Sequence, residues 1–391
     1  MQKTTIISNK QLLIAFITFF CLLSTNAISQ DSTKTKEEFK PSGKIWGYAF
    51  GDYAYKLHAD SAKRGNVQYS QLPKGHNSFN FRRIYFGYDY QFTPNISSEL
   101  LLAHESTFEA NPGNTDILTD NNRSVYIKAM NIRFKNVIPR AIIVAGQQAT
   151  PTFATLVDGI WGYRSIEKSI TDMRGISSST DLGVGVFGKI GKNENVGYDV
   201  LIGNSNGGKL ENNNFKKIYT SLYVYFFDKK LVIQGNYEHD RTSLTPVQDV
   251  SNFKAFAAYK TSSTTVGVEA FRQLKTNNTL ADSVYADVIP SGISFYVTQQ
   301  LTKNKLNFFA RADFYNPDSK FEKGKNYATG YNTNKEMFAT IGLDFVASKN
   351  VHIMPNLWYN QYQSKLAGAS GNLKNDYDLE GRITLYFLFN K

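Results

Sequence analysis

The sequence has 391 residues with 24 Tyr, 28 Phe and 28 Gly, one Cys, and 44 basic against 33 acidic side chains, a formal charge of +11. A 14% aromatic share at a mean hydropathy of −0.36 is odd for a soluble globule. It suits a sheet closed on itself, with one face toward lipid and the other toward water. A single cysteine excludes a disulfide framework, and no apolar run after residue 29 is long enough for a transmembrane helix.

The first element is a signal peptide over 1–29. Lys3 and Lys10 make a basic start, Leu12 to Leu23 an apolar centre, and Ala27 and Ser29 satisfy the small-residue rule for cleavage after Ser29. As a membrane anchor the apolar run is short. Cys21 follows Thr18-Phe19-Phe20 rather than a small residue, which excludes lipidation and leaves the mature chain without cysteine. Residues 30–42, with Lys34, Lys36, Glu37 and Glu38, form a polar periplasmic lead-in, and 43–391 is the barrel.

From residue 43 onward the chain alternates with a period of two. In Phe79 to Phe92, Ile84, Phe86, Tyr88, Tyr90 and Phe92 share one face, and Arg83, Tyr85, Gly87, Asp89 and Gln91 the other. Such a segment is amphipathic as a strand and meaningless as a helix. Sixteen segments follow this rhythm, from 43–57 and 78–92 to 350–364 and 376–389. An even count suits a bacterial barrel and puts both termini on the periplasmic side. Short polar turns (Thr93-Pro94-Asn95, Asp228-Lys229-Lys230, Thr302-Lys303-Asn304) alternate with long loops at 58–77, 107–122, 150–179, 204–214, 242–250, 276–288, 316–335 and 365–375. The expected fold is therefore all-β: a transmembrane antiparallel up-and-down barrel of about sixteen strands. A propeller would show a repeat of fixed length, and a sandwich would use shorter strands.

Sixteen strands are wide enough to leave an aqueous channel. The inferred lumen lining is mixed: Arg83, Lys128, Lys189, Lys217, Lys254, Arg311 and Arg382 against Asp89, Glu99, Asp181, Glu238, Glu269, Asp313, Asp344 and Glu380. The longest loop, 150–179, is the third on the extracellular side. It carries apolar anchors (Phe153, Leu156, Val157, Ile160, Trp161, Ile166) among Asp158, Arg164, Glu167, Lys168, Asp172 and Arg174. It resembles, in position and length, the third loop of general porins, which folds into the lumen. Those six charged residues are then the expected constriction; an extracellular cap is the alternative.

In the last strand Gly381, Ile383, Leu385, Phe387 and Phe389 alternate with Arg382, Thr384, Tyr386 and Leu388. This resembles the signal by which the barrel assembly machinery recognises its clients, departing from it by the Asn390-Lys391 extension. The stretch FNFRRIYFGYDYQFTPNIS, Phe79 to Ser97, and the later WGYR…IEK from Trp161 to Lys168 resemble porins of Bacteroidota related to the phosphate-selective porin O and P group. The resemblance implies passive diffusion of small hydrophilic solutes or ions, anions such as phosphate among them, and allows a homotrimer. Outer-membrane lipid and lipopolysaccharide are the expected surroundings, the basic balance suiting lipopolysaccharide phosphates or anionic solutes.

No enzyme is expected. The histidines (His58, His76, His104, His239, His352) have only strand neighbours such as Glu238 and Asp240, which point to the opposite face from His239. His239 is read as a rim or lumen side chain. No HExxH or CxxC spacing suggests a metal, and no cofactor or nucleic acid is expected. The competing readings are a substrate-specific transporter, though 30–42 is too short for a plug, and a structural or secretion-associated barrel acting through protein partners.

Overall fold

The computed structural model describes residues 39–65, 67–105, 125–209, 211, 213–281, 284–321, 334–365 and 375–390. The signal-peptide segment 1–29, most of the lead-in and loop 107–122 lie outside them, as do parts of 316–335 and 365–375. The wall begins with β1 (Ser42–His58), β2 (Asn77–Thr93), β3 (Ile96–Glu105), β4 (Tyr126–Lys135), β5 (Ala141–Ala149) and β6 (Thr180–Ile190). It continues through β7 (Val196–Gly203), β8 (Lys217–Phe226), β9 (Leu231–Leu244), β10 (Val247–Lys260) and β11 (Thr264–Ala281). It ends with β12 (Val284–Val288), β13 (Ser291–Thr302), β14 (Leu306–Asn316), β15 (Asn334–Ser348), β16 (Val351–Ser364) and β17 (Asp376–Phe389).

Paired strands are antiparallel throughout, and β1 meets β17 from Gly47 opposite Phe389 to Lys56 opposite Glu380, which closes the ring. β12 and β13 both pair with β11 and form one wall strand interrupted at Ile289-Pro290, so the barrel has sixteen strands. Pro290 has no N–H to give a ladder, and its carbonyl still accepts from the Gln273 amide at 2.8 Å. Closure leaves no unpaired edge, which a sheet in hydrocarbon requires. No helix among the described residues is long and apolar enough to cross a membrane.

Side-chain alternation decides what meets the outside. Along β17, outward Ile383 and Leu385 are 51% and 45% exposed, and inward Arg382 and Thr384 are 3% and 0% exposed. Outward Phe86, Phe253, Phe295 and Leu357 repeat the pattern on other strands. The exterior is apolar, and the buried charges lie within.

Two departures from strict alternation matter for the interior. In β2, Phe50 of β1 faces Arg83 and Gly51 faces Phe81, leaving Arg82 as an extra residue. This β-bulge turns both Arg82 and Arg83 inward, 3% and 2% exposed. In β4, Leu101 faces Ala129 and Leu102 faces Ile127, so Lys128 is a second inserted residue, also inward.

Two expected loops are strands. The segment 242–250 is the tip of the β9–β10 hairpin, turning at Thr245-Pro246, and 276–288 is the tip of the β11–β12 hairpin. Beyond the apolar band both faces of a strand meet water, so composition there carries no alternation to read. Pairing is held instead by contacts such as Arg241–Asp249 at 2.7 Å.

Candidate functional site: the inner face of β1–β5 and segment 150–179

Between Ala149 and Thr180 the chain leaves the wall and returns through two short helices, Val157–Trp161 and Ile170–Met173. The first ends on Gly162, whose φ of 74° in the left-handed region favours glycine at a helix C-terminus. The apolar anchors pack on side chains that point inward from the wall. Phe153, Val157 and Trp161 cluster with Tyr223, Val232, Phe256 and Tyr296. Ile166 packs with Phe309 and Met354, Ile170 and Ile176 with Phe271 and Tyr315, and Met173 with Phe338 and Trp358 of the wall and with Val67 of the loop between β1 and β2.

Irregular backbone leaves carbonyls without secondary-structure partners, and these need donors. Four wall cations supply them. Arg82 donates to the Ser165 carbonyl at 2.6 Å and Arg382 to that of Ile166 at 3.2 Å, while Lys254 and Arg311 donate to those of Thr152 and Lys168. Thr171 and Ser177 donate to Glu269 and Glu238 at 2.7 and 2.8 Å, and Arg174 pairs with Glu336 at 2.6 Å. Segment 150–179 is thus fastened to β2, β9, β10, β11, β14, β15 and β17.

The six constriction candidates separate into two groups. Glu167 is 1% exposed and Arg174 4%. Glu167 accepts from Gln68 at 2.8 Å, Trp358 at 3.1 Å and the Lys168 amide at 2.9 Å. Both serve as fasteners, and Lys168 contributes the carbonyl that Arg311 grips. Asp158, Arg164 and Asp172 come together instead. Arg164 bridges Asp158 at 2.7 Å and Asp172 at 2.6 Å, with side chains 15–18% exposed. Burial pushes the Asp158 carboxyl up to about 6, with a further push from Asp172 and against the pull of Arg164. Burial acts on Asp172 in the same sense, but Arg164 and then Lys168 outweigh it and hold that carboxyl below its ordinary value.

Facing Asp158 and Arg164 across a cavity of about 380 Å³ are Tyr48, Tyr85, Glu99, Leu101, Lys128 and Tyr386 of the wall. Asp158, Gly159, Gly162 and Arg164 form its other side. Behind the wall residues, Glu105 takes Lys128 at 2.6 Å, the Tyr85 hydroxyl at 2.6 Å and Arg83 at 3.8 Å. Tyr48 lies 4.5 Å from Tyr85, ring centre to ring centre.

The other inward charges are mostly engaged. Glu99 pairs with Arg133. Lys189 donates to the Tyr223 hydroxyl at 2.7 Å. Arg311 and Asp313 form a buried pair at 2.5 Å. Arg382 donates to Asn356 at 2.8 Å. Asp89 sits opposite Lys44 on β1 and Glu99 on β3.

Sequence reading missed Arg82, Glu105 and segment 59–76, whose Tyr69 donates to Asp52 at 2.8 Å. A phase slip announces Arg82: the outward aromatics are odd-numbered at Phe79 and Phe81 and even-numbered from Phe86 onward. His239 faces Ser251 on the outer surface, at 3.0 Å, rather than the lumen.

Comparison with known proteins places the fold. No protein-family profile matches the chain, nor does any curated protein sequence. Among solved structures it is similar to the outer membrane channel DcaP of Acinetobacter baumannii, with a TM-score of 0.63 at 11% identity, covering 89% of this chain and 97% of that one. An anion-selective porin from Comamonas acidovorans gives 0.58 at 10%, covering 90% and 100%. OmpT of Vibrio cholerae gives 0.58 at 11%, covering 91% and 100%. The chain has the fold of the outer-membrane porin barrels.

Proposed function

We propose that this protein is an outer-membrane porin through which small hydrophilic solutes diffuse passively. Segment 150–179 folds into the lumen, occupies the side of β8–β17 and leaves a passage along β1–β5. The observation that carries this reading is the cavity of about 380 Å³ between Asp158 and Arg164 on one side and Glu99 and Lys128 on the other. Residues 1–29 act as the export signal, and the last strand is read by the barrel assembly machinery.

The passage is close to charge balance, because each cation beside it has a carboxylate partner: Arg164 with Asp158 and Asp172, Lys128 with Glu105, Arg133 with Glu99. Weak ion selectivity follows. The likeness of Phe79 to Ser97 and Trp161 to Lys168 to phosphate-selective porins of Bacteroidota, and the fold shared with the anion-selective porin from Comamonas acidovorans, support a finer proposal of anion preference. The charge balance argues against a strong one. A homotrimer is the proposed assembly, in keeping with the trimer form of Vibrio cholerae OmpT. A substrate-specific channel is a second reading, favoured by the extent to which segments 59–76 and 150–179 fill the interior.

Planar-bilayer recording with salt gradients separates the two. A porin passes small ions in stable open steps of low selectivity; a substrate-specific channel conducts little until its solute blocks or opens it.

A further inference from the structure

The chain's formal charge of +11 is not spread over the molecule. Seven short connections close one end of the barrel: 94–95, 136–140, 191–195, 227–230, 261–263, 303–305 and 349–350. Within them and at their edges stand nine cations, Lys135, Arg140, Lys192, Lys229, Lys230, Lys260, Lys303, Lys305 and Lys349, against two carboxylates, Glu194 and Asp228. All but Lys135 are exposed, and among the described residues none of the nine is in an ion pair. The opposite rim is mixed: Lys216 pairs with Glu211 at 3.4 Å, Arg241 with Asp249 at 2.7 Å and Lys320 with Asp287 at 3.0 Å, while among the described residues exposed Lys63, Lys74, Lys209 and Lys335 stand outside any ion pair.

Two further observations give this excess a purpose. Outward apolar side chains end immediately before it: Ile190 before Lys192, Phe226 and Phe227 before Lys229, Tyr259 before Lys260, Leu301 before Lys303. The cations therefore stand just past the hydrocarbon band, at the height of lipid headgroups. Arg140 and Lys229 also hold φ values of 60° and 64°, where glycine is the unstrained residue. Neighbouring hairpins lie two strands apart, roughly 10 Å, so the ring matches a layer of separate headgroups rather than one small ligand.

We infer that this end is an electrostatic collar that binds the phosphates of anionic phospholipids in the leaflet around it. With short turns facing the periplasm, that leaflet is the phospholipid leaflet, and the basic excess serves it rather than lipopolysaccharide on the other side. The inference rests on the porin reading for this orientation only. Polybasic rims attract anionic lipid through summed, salt-screened interactions.

The test uses the mature barrel reconstituted in phosphatidylcholine, with electron spin resonance of spin-labelled phosphatidylglycerol and phosphatidylcholine. The expected result is an association of phosphatidylglycerol about threefold or more above that of phosphatidylcholine, collapsing in molar salt. K192Q, K229Q, K230Q, K260Q, K303Q and K305Q together bring the ratio close to one, while R241Q with K320Q at the other rim leaves it unchanged. Equal association of the two lipids in the unaltered barrel overturns the collar, as does a preference that survives the six substitutions. The salt series on the unaltered protein decides the matter if the sixfold variant does not fold. A barrel that conducts without lipid preference sinks the collar alone; one with the preference that never conducts sinks the porin reading alone.

Discussion

In the proposed passage Arg164 sets the charge balance, because among the described residues it alone pairs with both Asp158 and Asp172. Arg164→Gln leaves Asp158, which lines the cavity, and Asp172 without their shared guanidinium. One uncompensated charge in a partly hydrated passage is worth on the order of 1 kcal/mol. The cation-to-anion permeability ratio is expected to rise about threefold or more, read as a reversal potential in a salt gradient; an unchanged potential would place the trio away from the ion path. The same trio predicts a pH response. At pH 8 both carboxylates are ionised against one guanidinium, giving one net negative charge. Because burial pushes Asp158 up to about 6, acidification to pH 5 protonates it and brings the trio to neutrality. Selectivity therefore moves toward anions as pH falls through about 6, and Asp158→Asn removes the step. At this scale the sequence was partly legible. Asp158, Arg164 and Asp172 stood out as charges in an apolar loop, but nothing in their spacing separated them from Glu167 and Arg174, since that division depends on which wall side chain each one meets. Arg82 was visible only through the slip between Phe81 and Ile84, which a strict period of two hides.

In the proposed porin, segment 150–179 is the element on which the passage depends. Its seat is apolar, and Trp161 is at its centre, 4.9 Å from the Tyr296 ring and donating to the Glu167 carbonyl at 2.9 Å. Trp161→Ala removes a buried aromatic worth about 3–5 kcal/mol. The wall ladder does not depend on it, so the barrel should stay intact by heat-modifiable gel mobility while open-channel noise and mean conductance rise. A variant as quiet as the parent would mean that the helix Val157–Trp161 is not held by that cluster. Glu167→Ala strands two buried donors, on Gln68 and Trp358, at roughly 1–3 kcal/mol each. Glu167→Gln keeps one acceptor and should fall between, with segment 150–179 more readily cut by protease in the alanine variant than in the glutamine variant. The length and apolar content of the segment were plain in the sequence. Its fastening was not, because the partners come from seven strands scattered between Arg82 and Arg382. The hairpin tips of β9–β10 and β11–β12 escaped for the opposite reason: their polar residues form ladders in water, where one face has no need to be oily.

At the scale of the whole molecule, alternation carried most of the fold. The segment 376–389 coincides with β17, and 350–364 falls within one residue of β16, because each has one face set against an apolar exterior. The direction of the net charge was not legible until the turns were gathered at one end; a count of lysines does not show which rim holds them. The central claim is that a passage remains beside segment 150–179. Its most direct test is single-channel conductance of the mature chain and of a variant in which 152–177 is replaced by a short glycine–serine link. The account predicts stable ohmic steps in the first and steps several-fold larger in the second. A silent membrane with the folded parent, or equal steps in both, would contradict it.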